Sequence, residues 1–220
     1  MLLAFALPLA LLLQQAPIAD RLRGRVSPEI AALATELGTA AAARGLPLDP
    51  LIQKAIEGNA KGVPADRVAA AMRLVVSQLD ASHTALRGSP ALAADTVAVA
   101  AGAFALNAGL KDGDVAALSR SVADAPASDV IVGLRVAGTL VALGVPPAET
   151  VNLVQATLKA GRPAGELLGL PGQIQAQVAK GTPPAQAAAG LARAAAAQSR
   201  RGPPPGRGQP PARPGPPPHP

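Results

Sequence analysis

The sequence predicts an all-α fold, an alanine-rich multi-helix bundle or short helical solenoid turned by Gly-x-Pro corners and followed by a disordered Pro/Arg-rich tail. Three observations predict it. Apolar residues make up 49% of the 220 residues and aromatics only 1%, so the core has to be assembled from Ala, Leu and Val, whose small side chains let helix backbones approach closely. Gly-x-Pro recurs, with corners expected at Gly45, Gly62, Gly88, Gly144, Gly161 and Gly181, in a stretch (20–192) whose composition gives about one such tripeptide by chance. Glycine ends a helix in the left-handed conformation, and proline, with φ fixed and no amide hydrogen, begins the next. Between corners the apolar spacing is helical, as in the stripe Val68, Met72, Val75, Leu79, Ser82 and Leu86.

The chain opens with a signal-like apolar segment, residues 1–19. Leu2 to Leu13 is apolar apart from Pro8, and QQAPIAD follows, in the manner of a secretory signal with a small-residue exit. The run is shorter than the roughly 20 residues a spanning helix needs. Its charge bias is reversed, with no Lys or Arg before it and Arg21, Arg23 and Arg25 after it. Cleavage after Ala19 puts Pro17 three places back, and cleavage after Ala16 puts Gln14 there. The expectation is export to a periplasmic or extracellular compartment, with an uncleaved N-terminal anchor as the alternative.

Residues 20–198 form the helical domain. Ser27-Pro28-Glu29 supplies a cap, a proline at the first helical position and an early acid, so a helix runs from Pro28 to Arg44. Helices follow over Asp49–Asn59 and Ala65–Arg87. The segment PALAADTVAVAAGAFALNAG reads as one nearly all-apolar helix with Asp95 as its charge, a central core element too short to cross a bilayer. Further helices are predicted over Asp114–Asp124, Ser128–Leu143 with Arg135 on it, Glu149–Ala160, Gly165–Leu170, Pro171–Lys180 and Pro184–Gln198. Asp112 and Asp114 flank a turn glycine and read as loop and cap. Shifting the chain by 99 residues lays Gly45-Leu46-Pro47 on Gly144-Val145-Pro146 and Gly62-Val63-Pro64 on Gly161-Arg162-Pro163. That register predicts duplicated halves, 27–88 and 127–198, joined by the helices of 90–124.

Residues 199–220 are rich in Pro, Gly and Arg and carry no large apolar side chain, a composition that stays disordered with polyproline II character. The basicity sits there. Of the net charge of +6, residues 20–192 carry +1 (15 Lys and Arg against 14 Asp and Glu) and residues 193–220 carry +5. Arg200, Arg201, Arg207 and Arg213 are therefore the candidate contacts to an anionic or protein partner, with nucleic acid or an envelope surface as the anionic options and a solvated spacer as the plain alternative.

Zero cysteines exclude disulfides, thiolate metal sites and a cysteine nucleophile. The helical region holds one histidine, His83; on a helix adjacent Ser82 points away from it and Asp80 shares only a side-by-side face with it, so no triad converges. The most distinctive polar cluster is EGNAKGVP, where Glu57 and Lys61 are spaced as a helical ion pair and Asn59 stands among glycines. No catalytic, cofactor or metal constellation is read from the sequence. The expected function is a non-enzymatic exported helical scaffold or interaction protein. The alternatives are an anionic-partner binder acting through the tail, and an enzyme with its site near Glu57, Lys61 and His83.

Overall fold

The computed structural model describes residues 17–120, 126–162 and 164–200. Among them are eleven helices and no strand: α1 (Ile18–Leu22), α2 (Pro28–Ala42), α3 (Asp49–Ala60), α4 (Ala65–Leu86), α5 (Pro90–Ala94), α6 (Thr96–Ala108), α7 (Asp112–Arg120), α8 (Ala127–Ala142), α9 (Pro147–Lys159), α10 (Ala164–Val178) and α11 (Pro184–Ser199). The leading segment up to residue 16 and the tail from residue 201, with their expected export signal and disorder, lie outside the described residues.

The corners work as the sequence implies. Gly45, Gly62, Gly144, Gly161 and Gly181 have φ between +63° and +88°. At Gly45 and Gly144 the next residue donates its amide five residues back, Leu46 to the Ala41 carbonyl at 3.1 Å and Val145 to the Leu140 carbonyl at 3.0 Å, while its side chain is buried. One glycine thus satisfies orphan carbonyls and drives an apolar residue into the core. Gly88 turns differently: its φ is not positive, and the Ser89 amide bonds the Leu86 carbonyl at 2.8 Å.

Three stretches depart from the expected boundaries. Asp112 and Asp114, expected as loop and cap, both lie in the first turn of α7, where the Asp114 carboxylate accepts from the Lys111 amide at 2.9 Å. The expected continuation to Asp124 lies outside the described residues. The apolar run after Pro90 is broken at Asp95, whose carboxylate accepts from the Val97 and Ala98 amides at 2.7 and 3.3 Å and so caps α6. Conversely, the predicted pair Gly165–Leu170 and Pro171–Lys180 is the single helix α10, with Pro171 inside it. Gly169-Leu170-Pro171 has the corner pattern, yet Gly169 is helical and the chain does not turn. Proline forfeits a helical hydrogen bond. Continuing the helix keeps Leu167, Leu170 and Ile174 buried at spacings of three and four, which offsets that loss.

Two apolar clusters share the long helix α4. The smaller joins α1–α3 to its first half through Leu22, Ile30, Leu51, Ile52, Val68, Met72 and Val76. The larger takes Leu79 and Leu86 of its second half together with α5–α11. The stripe crosses over where Val76, not the expected Val75, is buried; Val75 is half-buried against the larger cluster. At the centre α6 packs between α4 and α8. Small residues make this fit: a Cβ on Gly102 would lie 2.2 Å from the Ser82 Oγ, and one on Gly138 would lie 3.1 Å from the Ala105 Cα. The buried Ser82 hydroxyl donates to the Val99 carbonyl at 2.8 Å, so α4 and α6 meet at no cost in unsatisfied polar atoms there. Ile18 also belongs to the packed unit, since its side chain fills the space beside Gly38 on α2.

Candidate functional site

The polar cluster EGNAKG closes α3 against α4. Glu57 bonds Lys54 at 2.8 Å and Lys61 at 2.5 Å, one turn to either side on an exposed face. Hydrogen bonds from Lys54 and then Lys61, followed by their charges, lower the Glu57 pKa to about 2. Gly58 points inward. A Cβ there would lie 2.6 Å from the Val68 Cγ2, so its absence lets α4 come close. Asn59 reaches back to the α1–α2 connection, its side-chain amide donating to the Arg25 carbonyl at 3.0 Å and its oxygen accepting from the Ser27 amide at 3.3 Å. The Lys61, Gly62 and Val63 amides are all taken by carbonyls of α3. Asn59 and these amides thus already have partners within the fold.

His83 does not join this cluster. It is half-buried on α4, fifteen residues past Val68, or about 22 Å along the helix axis. Its neighbour Asp80 pairs with Arg44, which ties α4 to the end of α2. Among the tail arginines, Arg200 stands at the end of α11, and Arg201, Arg207 and Arg213 lie outside the described residues. No group of three or more metal-binding side chains occurs among the described residues, and no helix there is long and apolar enough to cross a membrane.

A second surface carries a groove of about 400 Å³ between α6 and α8, lined by Ala100, Ala101, Phe104, Arg135 and Thr139. The two helices run in the same direction, with Phe104 against Gly138 and Gly109 against Val141. Phe104 is 45% exposed and Val97, on the same face of α6, is 48% exposed. The Arg135 guanidinium has no ion pair among the described residues, and Thr139 spends its hydroxyl on the Arg135 carbonyl at 3.0 Å. The arrangement is a trough of mixed polarity, walled by an aromatic ring and alanines, with exposed Arg135, unpaired among the described residues, on its rim. Neither residue stands out as a site in the sequence, although Phe104 is the one aromatic beyond Phe5 and Arg135 is a cation on an apolar helix.

Comparison with protein-family models, curated proteins and solved structures finds no match to this chain.

Proposed function

We propose that the chain is an exported, non-enzymatic helical scaffold whose partner docks in the α6–α8 groove. The observation that carries this reading is the groove itself, a trough with an exposed aromatic and an arginine unpaired among the described residues, left open beside a core that otherwise packs its small residues tightly. Its chemistry selects an apolar helix bearing a carboxylate. Ala100 and Ala101 admit a close helix backbone, Phe104 supplies buried area, and Arg135 pairs with the acid. Export is supported by the apolar run Leu2–Leu13. Cleavage after Ala16 leaves α1 whole, whereas cleavage after Ala19 removes Ile18 from Gly38. We read the scaffold as two diverged copies, because α2, α3 and α4 begin at 28, 49 and 65 and α8, α9 and α10 begin at 127, 147 and 164.

The absence of cysteine permits a direct test. A photo-crosslinker attached to a Phe104→Cys variant in cells should give one discrete adduct, lost when Arg135→Glu is added. The same label at exposed Gln175 should give none. Equal labelling from both positions, or an adduct indifferent to Arg135→Glu, contradicts the docking reading. Mass spectrometry of the mature protein from each cell fraction tests export, with Pro17 expected as the first residue and an intact Met1 in the cytoplasm as the opposing result. Deleting 199–220 and measuring binding across a salt series tests the competing tail-mediated reading, which requires affinity to fall.

A further inference from the structure

A shallow cleft of about 200 Å³ lies between α3 and α4, away from the α6–α8 groove, lined by Lys54, Glu57, Gly58, Lys61, Val63, Arg67, Val68 and Ala71. Its chemistry divides into a floor and a rim. Half-buried Ala71 and exposed Val63 make an apolar floor over the buried Gly58–Val68 contact, reaching to the Gly62 corner. Three cations and one carboxylate make the rim. Glu57 neutralises part of the charge of Lys54 and Lys61 but also fixes both ammonium groups at the opening, while Arg67 across the cleft has no ion pair among the described residues. The rim therefore keeps a net charge of +2 from Lys54, Lys61 and Arg67 against Glu57.

We propose that this cleft binds a small amphiphilic anion, a carboxylate or phosphate group on an apolar body, with the anion held by Arg67 and Lys61 and the body laid over Val63 and Ala71. The pairing of floor and rim carries the assignment. A purely polar anion gains nothing from the floor, and a neutral apolar molecule leaves the cations unused. Glu57 competes with the ligand for the lysines, which fixes the sign of two substitutions. Removing Arg67 weakens binding, and removing the Glu57 charge strengthens it.

The test is an amide NMR titration of the full chain with octyl phosphate below its aggregation concentration, with inorganic phosphate and octanol as separate arms. Saturable shifts centred on Gly58, Val63 and Arg67 are expected with octyl phosphate, and weaker binding with either half alone. Arg67→Gln and, independently, Lys61→Gln should each weaken octyl phosphate roughly two- to fivefold, while Glu57→Gln should tighten it. Circular dichroism melts confirm that each variant is folded. Phosphatidylglycerol vesicles in place of octyl phosphate show whether a lipid headgroup reaches the same residues as the free amphiphile. The proposal is overturned if octyl phosphate gives no saturable shifts, if phosphate alone binds as well, or if Glu57→Gln weakens binding.

Discussion

Helices α2–α4 and α8–α10 keep the same register 99 residues apart and turn on the same corners, yet they do not pack alike. In both sets the first and third helices touch, α2 with α4 and α8 with α10; but α3 lies against α4, whereas α9 packs chiefly on α11 rather than on α10. The side chains at matching positions give the reason. Gly58 of α3, which lets Val68 approach, corresponds to Thr157 of α9, a buried residue whose hydroxyl is spent on the Leu153 carbonyl at 2.9 Å. Conversely, Ala34 of α2 corresponds to Gly133 of α8, where a Cβ would sit 3.2 Å from both Val154 and Leu158 of α9. Corners decide where the chain turns. The position of the missing side chain decides which helices then touch.

The largest effect should come from making the first set resemble the second. Gly58→Thr drives a branched side chain into Val68 and should destabilise by about 1–3 kcal/mol in denaturant titration, despite the better helix propensity of threonine. Corner substitutions come next and should affect both sets equally. Gly45→Ala and Gly144→Ala each force alanine into the left-handed region and should cost about 1–2 kcal/mol. Gly88→Ala, where φ is not positive and the nearest neighbour is an Arg120 methylene at 3.6 Å, should stay within about 0.5 kcal/mol of the parent. Equal losses at all three positions would show that the corners do not act through the left-handed conformation.

How much of this was legible follows from the range of each interaction. Corners and caps are local, so Gly45, Gly144 and the Ser27-Pro28 start could be read directly. Asp95 was equally local and still misread, because the apolar run on both sides concealed a capping residue. At Gly169-Leu170-Pro171 the local signal was overridden by burial of Leu167 and Ile174, which only the tertiary structure reveals. Gly58, Gly102, Gly133 and Gly138 were invisible as contact residues, since a glycine serving close approach looks in sequence like any other. At the polar cluster the Glu57–Lys61 spacing was readable. The reach of Asn59 to Arg25 and Ser27, more than thirty residues away, was not.

Smaller effects sharpen the contrast at the ends of α3 and α9. Asn59 corresponds to Leu158, so one set ties its helix end to a backbone loop and the other buries it against Gly133. Asn59→Ala should cost about 1 kcal/mol and increase amide hydrogen exchange at Ser27 while leaving α9 unchanged. The smallest effect is electrostatic. Glu57 corresponds to Ala156, and its lowered pKa means that its ion pairs add stability above its ordinary value of 4.5 and lose it as pH falls toward about 2. Parent and Glu57→Gln should therefore differ slightly at pH 6, converge as pH falls through that window, and differ less in high salt because the pairs are exposed.

The double-mutant cycle of Gly58→Thr and Val68→Ala, measured by denaturant unfolding, tests the central claim most directly. If the missing side chain at Gly58 is what admits α4, shortening Val68 relieves the clash, and the double variant is more stable than the sum of the single losses predicts, by about 0.5 kcal/mol or more. Strict additivity, or a Gly58→Thr variant as stable as the parent, would contradict the claim that this glycine chooses the partner of α3.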